Sequence, residues 1–377
     1  ALPLTLMFEC TNTQHVVQSI NEKLRALESP VSDLNSSAPN TIAPRVVTLR
    51  GTAGKLPSAK LSMLARMARG AVDSASPRNS FDGYWLHQPE LFDATSFSVS
   101  ADEATSMDPH QRHVLEQSYA ALHASGTNRA ALNSSTTGVA VAMWNTNFRS
   151  LQKRESVYST LSVSISVASG RVSFALGLLG PCSSIDTACS AALAASHSAM
   201  RALQHKECDQ HVVTGVNMIL GLGSGRPSGG VTGMFSLLGR CHSFDYRADG
   251  FARAEGCASA VFHASNETSS TRLRGSAVQQ DGRSASLTAP NGLAQARLLG
   301  TLYDESNAAA DGLSIIEAHA TGTPLGDPIE MGAVVKVAVK LKAESILPLS
   351  CTKANVGHSE TGAGATGLLM LRLALLK

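Results

Sequence analysis

The chain has 377 residues, 43% hydrophobic and 5% aromatic, which is enough apolar surface for one large core or two to three smaller ones. Its 31 Lys and Arg against 29 Asp and Glu leave a formal charge of +2, and this argues against a clustered basic surface for nucleic acid. No apolar run reaches the ~18 residues of a membrane span, and the opening ALPLTLMF lacks the basic region of a signal peptide. The seven cysteines are odd in number and include no CxxC pair, so neither a disulfide framework nor a zinc site is expected. Reduced thiols inside the cell are, in the cytoplasm or in an organelle such as a plastid. The first residue, Ala1, and the apolar helical pattern running into Lys377 read as the cut ends of a longer chain.

Residues 1–76 read as an extension of unassigned role. An amphipathic stretch at His15–Leu27 predicts a helix, Ser29–Pro44 a linker, and the region near Leu61–Arg69 a second helical patch. From about Pro77 onward, strand-like and helix-like segments alternate. Asp108 followed by Pro109 is a helix start, and Val114, Leu115, Leu122 and the closing Gly126 complete that helix. Gly138–Trp144, His211–Leu220, Ala258–Ala264, Leu313–Ala320 and Pro348–Lys353 predict strands. Asp327-Pro328 opens a helix, and Gly362–Leu376 forms the last one. This alternation indicates α/β architecture. Ser183–Leu203 and Leu349–Leu373 share a pattern, a short strand and a small-residue turn before an Ala- or Gly-rich helix, which hints at two related halves.

Three of these junctions carry candidate chemistry. In IDTACSAALAASHSAM, Cys189 stands before an Ala-rich helix, where unpaired backbone N–H groups and the helix dipole favour the thiolate and predict a lowered pKa. A buried cysteine with only a packing role is the competing reading. In EAHATGTPLGDPIE, His319 ends a strand beside the hydroxyls of Thr321 and Thr323. In CTKANVGHSETGAG, His358 lies between a strand and a helix. Lys353, five residues earlier, reads either as a solvated charge or as a partner of Glu330 or Asp327 that helps to fix the histidine. A further stretch, Gly239–Cys257, mixes Asp245, Asp249 and Glu255 with Arg240, Arg247 and Arg253. Its spacing does not fit an EF-hand, and a structural turn network is expected. Cys189 and His319 are 130 residues apart, and His319 and His358 are 39 apart. That separation suits groups gathered by a fold for nucleophilic catalysis better than zinc ligands.

With these segments, MDPHQRHVLEQSYAAL, DTACSAAL, FDYRADGFARAEG, QDGRSASLTAPNG, EAHATGTPLGDPIE and TKANVGHSETGAGATGL, the sequence resembles the β-ketoacyl synthase family, above all the ketosynthase domains of type I polyketide and fatty-acid synthases. The resemblance covers about Phe81 to Lys377. It implies a thiolase-like αβαβα layered sandwich of two duplicated halves, about 77–243 and 244–377, truncated at the C-terminal end. It implies an acyltransferase that takes an acyl chain from acyl-carrier protein onto Cys189 and condenses it with malonyl thioester by decarboxylation. His319 and His358 match the two catalytic histidines, Lys353 the neighbouring lysine and Glu330 its carboxylate partner. Asp327 falls in the same supporting segment, and Thr321 and Thr323 match hydroxyls that contact the phosphopantetheine arm. No cofactor or metal bound by the domain itself is implied; the partners implied are acyl-carrier protein and a second copy, as a homodimer. Histidine at the third position separates the chain from thiolases, which place a second cysteine, and from initiating enzymes with Cys-His-Asn. Ala320 departs from a usual glycine and sets a methyl group beside the thioester. Gln279 stands where the family commonly has Asn, and the closing Gly-Phe-Gly-Gly-Thr-Asn motif, source of a second oxyanion donor, is not within these residues. A non-catalytic scaffold or inactive fragment is the alternative, and a cysteine hydrolase ranks last because it leaves His358 without a role.

Overall fold

A computed structural model of the chain describes residues 46–57, 84–144, 148–152, 156–220, 234–265, 271–307, 315–340 and 348–375. The segments His15–Leu27, Ser29–Pro44 and Leu61–Arg69 lie outside the described residues. Six strands form one mixed sheet: β1 (Val47–Lys55), β2 (Gly138–Ala142), β3 (Cys182–Ile185), β4 (Gln210–Asn217), β5 (Gly256–Ala264) and β6 (Arg272–Leu273). Their order is β3-β2-β4-β5-β1-β6. β2 runs parallel to both β3 and β4, whereas β4–β5, β5–β1 and β1–β6 are antiparallel.

The two-residue period of the strands sends alternate side chains to two different cores. Val139, Val141, Val212, Val216 and Val261 face one side. There they pack on Val114, Leu115 and Leu122 of α1 (Pro109–Ala124) and on Val172 and Leu176 of α2 (Ile165–Leu176). The start of α1 is built as its sequence suggests, with the Asp108 carboxylate accepting from His110 N at 2.8 Å and Pro109 in the first turn. Ala140, Ala142, Val213, Ala258, Ala260 and Phe262 face the other side, against α3 (Ala191–Gln204) and α6 (Ala363–Leu375).

Small residues let these two helices come close. A Cβ added to Gly215 of β4 would stand 3.0 Å from Gly362 Cα, 3.1 Å from Ala192 Cβ and 3.2 Å from Ala365 Cβ. The far side of α6 meets a second, two-stranded parallel sheet of β7 (Ile316–Glu317) and β8 (Leu349–Ser350). A Cβ at Gly367 would lie 3.3 Å from the Glu317 side chain. Outside that sheet lie α4 (Gly292–Ser306) and α5 (Gly326–Lys340), packed on each other. The order of layers is therefore helix, sheet, central helix pair, sheet, helix.

Two elements differ from the sequence expectation. β1 falls inside residues 1–76, so the sheet begins by Val47 and not after residue 77. Its Gly51 and Gly54 blur the alternation, and both are needed for close approach: a Cβ would collide with the Ala121 carbonyl in the first case and stand 2.6 Å from Leu369 in the second. β7 and β8 are two residues each, shorter than Leu313–Ala320 and Pro348–Lys353, because the chain leaves the sheet at once to build the loops that carry His319 and Lys353.

Replacing Gly215 by Val is expected to cost about 1–3 kcal/mol of stability by overpacking the helix crossing. Replacing Gly300, inside α4 with nothing within 4 Å of an added Cβ, by Ala is expected to add about 0.4–1 kcal/mol. Urea unfolding of the two variants beside the parent chain checks both signs.

Candidate active site

Cys189 occupies a tight turn between β3 and α3. The turn needs a left-handed residue, and Ala188 supplies it at φ +53°. For an alanine this costs roughly 1–2 kcal/mol, and hydrogen bonds hold it in place. The Asp186 carboxylate accepts from Ala188 N at 3.0 Å, and Ser190 Oγ donates to the Thr187 carbonyl at 2.8 Å. Ser190 is the N-cap of α3, so the thiol stands one residue before the cap. The lowered thiol pKa expected from the sequence does not prevail. Burial pushes the Cys189 thiol up, and the opposing pull of Lys353 only partly offsets it.

His319 follows β7, whose end is tied to β8 by Ala318 N donating to the Ser350 carbonyl at 2.8 Å. The loop is then anchored by two carboxylates from the first turns of α5. Glu330 accepts from His319 N at 2.6 Å and from Ala320 N at 2.7 Å. Asp327 accepts from Gly322 N, Thr323 N and, across the site, Phe244 N at 2.8 Å. Ala320 adopts φ +28°, a backbone region that suits glycine, and its carbonyl accepts from Ser243 Oγ at 2.6 Å and Cys351 Sγ at 3.1 Å. Thr323 Oγ1 accepts from Gly326 N at the start of α5, and Thr321 Oγ1 lies 3.4 Å from Thr323 Oγ1.

His358 precedes α6 and is buried. Its backbone bridges to the neighbouring loop, with His358 N donating to the Ala252 carbonyl at 2.8 Å and its carbonyl accepting from Ala254 N at 3.0 Å. The ring is oriented by one decisive contact: Glu360 N donates to His358 Nδ1 at 3.2 Å. A nitrogen that accepts carries no proton in the neutral ring, so the proton sits on Nε2, which becomes a donor.

These three junctions meet. One ligand-type atom from each of Cys189, His319 and His358 lies within 4.8 Å of the other two. The imidazoles stand edge to face, with centroids 5.7 Å apart and planes at 89°. Both rings are held neutral. Burial, then Lys353, lowers His319 to about 3, and burial, then Lys353 and His319, lowers His358 well below its ordinary value. His319 is exposed to solvent, which weakens the desolvation that lowers it, whereas His358 is enclosed. For both rings the direction is the same. A donor set of one sulfur and two nitrogens at this spacing also suits a soft cation, but the Nε2–H tautomer of His358 presents a donor and not a lone pair.

Lys353, 7% exposed, links the three. Its charge pulls the Cys189 thiol toward thiolate and opposes protonation of both imidazoles. The direct pairing with Glu330 or Asp327 expected from the sequence is not among the ion pairs of the described residues. Both carboxylates are engaged by backbone N–H groups, and Lys353 acts on them through space. In the Asp- and Arg-rich stretch, Asp245 pairs with Arg247 at 2.7 Å. Asp249 accepts from Leu237 N and Leu238 N, and Glu255 accepts from Leu86 N and Ile219 N, as a turn network requires. Phe251, whose ring centroid lies 4.9 Å from that of His358, was not singled out by sequence reasoning, because an aromatic in a loop carries no chemical signature.

Residues 32–267 match the family model of the β-ketoacyl synthase N-terminal domain, and residues 271–377 that of its C-terminal domain. Among curated proteins, the chain is 35% identical over 303 residues to a mycocerosic acid synthase-like polyketide synthase of Mycolicibacterium smegmatis, covering 78% of the chain and 14% of that protein. It is 37% identical over 315 residues to the erythronolide synthase EryA2 of Saccharopolyspora erythraea, covering 80% and 9%. Among solved structures, the ketosynthase from module 6 of the bacillaene synthase of Bacillus subtilis superposes with a TM-score of 0.77 at 29% identity, covering 87% of this chain and 60% of that one. An oxazolomycin ketosynthase domain of Streptomyces albus gives 0.77 and 29%, covering 87% and 62%. The chain thus spans 9 to 14% of the length of these two curated relatives. The layered fold is the thiolase-like αβαβα sandwich expected from the sequence.

Two outcomes follow from the electrostatics. Lys353→Met is expected to move the curve of Cys189 alkylation rate against pH to higher pH, because a cation that favours the thiolate is removed. The two depressed histidines bind fewer protons folded than unfolded, so stability is fully present above their ordinary pKa of 6.5 and is lost as pH falls below it. The denaturation midpoint is expected to drop across that window, and less steeply in His358→Asn.

Proposed function

The chain belongs to the β-ketoacyl synthase family, and from that premise we propose that it carries out decarboxylative Claisen condensation, with Cys189 as the acyl-bearing nucleophile and His319 and His358 as hydrogen-bond donors to the extender. The observation that carries the reading is the convergence of one thiol and two neutral imidazoles on a single point. Acyl transfer from the phosphopantetheine of acyl-carrier protein forms the Cys189 thioester and releases the carrier thiol. Malonyl thioester then loses carbon dioxide, and the electron pair of the broken bond becomes an enolate. Imidazole N–H groups aimed at the enolate oxygen stabilise charge that exists only as the transition state is approached. The enolate carbon attacks the acyl carbon, the C–S bond breaks, and Cys189 regains its proton. A neutral, N–H-bearing His358 is the form this role requires, and a raised thiol pKa makes Cys189 a poorer leaving group until the site, with Lys353 nearby, holds its negative charge.

Asp327 and Glu330 act as tethers of the His319 loop, and Thr321 and Thr323 line the approach of the pantetheine arm. Acyl-carrier protein is the partner of this reading, which needs no cofactor bound by the domain itself. A second copy of the chain is the other partner. It would add across β3, an edge strand with Cys182 and Ser183 exposed and with Phe174, 91% exposed, and Leu179, 70% exposed, near it. The reaction belongs inside the cell, where thiols stay reduced, and among the described residues no helix is long and apolar enough to cross a membrane. A scaffold role does not call for the meeting of these three side chains.

Cys189→Ala is expected to abolish acyl loading. His319→Ala and His358→Ala are expected to load normally and to lose carbon dioxide release from malonyl thioester by about 100- to 1000-fold each. Normal condensation by both histidine variants would overturn the assignment of roles.

A further inference from the structure

Resting on the condensing-enzyme reading, we infer that Arg253 and Glu360 form a clamp that fixes the tautomer and orientation of His358, and that the clamp controls decarboxylation without controlling acyl loading. Glu360 holds the backbone at φ +42°, a conformation that residues with a side chain disfavour. That conformation places its N–H on His358 Nδ1 at 3.2 Å. The side chain of the same residue is gripped: Arg253 Nε donates to Glu360 Oε1 at 2.5 Å, with the two side chains 14% and 16% exposed. A charge-assisted bond in so sheltered a place is strong enough to hold an unfavourable backbone.

The grip continues around the ring. The Arg253 guanidinium lies over Phe235, 6.0 Å from its centroid. Phe235 meets Phe251 edge to face at 5.0 Å, and Phe251 meets His358 in the same way at 4.9 Å. Arg253 is also the residue whose backbone bridges to His358. A closed circuit therefore runs from His358 through Phe251, Phe235, Arg253 and Glu360 and back to His358 Nδ1. It fixes both the ring plane and which nitrogen bears the proton.

The consequence is chemical. Without the Glu360 N–H, Nδ1 is free to take the proton, and Nε2 then presents a lone pair to the site. A lone pair repels the developing enolate oxygen, so decarboxylation suffers. Loading of Cys189 makes no use of that proton and is spared. Arg253 and Glu360 are positioning residues that act through His358.

The test measures two half-reactions in the intact protein: loading from an acyl thioester of N-acetylcysteamine, and carbon dioxide release from malonyl-N-acetylcysteamine. In parallel, ¹⁵N NMR of the histidine rings reads the His358 tautomer with no substrate present. Glu360→Ala and Arg253→Met are expected to lower kcat for release by about 10- to 100-fold. KM and the loading rate are expected to stay within about twofold, and the Nδ1–H tautomer is expected to emerge. Glu360→Gln, which keeps Oε1 as an acceptor for Arg253, is expected to restore most of the release and the original tautomer. Equal loss of loading and release, or an unchanged tautomer with release within about twofold of the parent, would overturn the clamp. Where the alanine variant does not fold, Arg253→Lys, which keeps the charge without the Nε–H, carries the same test. If the parent protein takes no acyl group on Cys189, the condensing reading fails, and the NMR comparison still decides whether the clamp exists.

Discussion

The site depends on how closely α3 and α6 approach each other across β4. At that crossing Gly362, Ala192 and Ala365 crowd Gly215, where an added Cβ would stand only 3.0 to 3.2 Å from them. Each of the two helices is entered by a short turn, and the turns carry Cys189 and His358. When the helix starts are pressed together, the thiol and one imidazole are delivered to the same place without either loop reaching for it. The second imidazole arrives from the edge of the smaller sheet. There Glu330 and Asp327 take hold of consecutive backbone N–H groups and set the path of the chain around His319. Rigid helices and tethered loops are the kind of support that keeps reacting groups within a fraction of an ångström of a productive arrangement.

One buried cation gives this geometry its electrical character. Lys353 stands close enough to influence the sulfur and both rings, and it acts on them in opposite senses: it makes a negative sulfur easier to form and a positive imidazole harder. Burial supports the second effect and opposes the first. The resting site is therefore a protonated thiol beside two neutral N–H-bearing rings. Such a site is poised to stabilise negative charge that appears on a bound oxygen, and Lys353 is the charge standing beside it.

Much of this was legible in the sequence, for identifiable reasons. β2, β4 and β5 are buried on both faces, so they read as apolar runs. The capped start of α1 and the Asp-Pro start of α5 are explicit signals. The chemical residues were legible because each sits at a strand-to-helix junction among small residues, as Cys189 and His358 do. β1 was hidden because its glycines serve contacts with α1 and α6 that no local pattern announces. The partner of Glu330 was misread because a carboxylate near a lysine suggests an ion pair, whereas here it is taken up by two N–H groups of a loop whose conformation exists only in the fold. The thiol pKa was misjudged because the helix end is visible in the sequence and the burial that outweighs it is not. Phe251, Arg253 and Glu360 lay within quoted motifs, but their mutual contacts are a property of three dimensions.

The central claim is that Cys189 carries an acyl group which only a decarboxylated extender removes productively. Peptide mass mapping of the intact protein after incubation with an acyl-carrier thioester tests it most directly, repeated after malonyl thioester is added. The account expects the acyl mass on the Cys189 peptide alone, and its disappearance with matching release of carbon dioxide and a chain longer by two carbons. An acyl group on another thiol, or a Cys189 thioester that water clears equally fast with and without malonyl thioester, would contradict it.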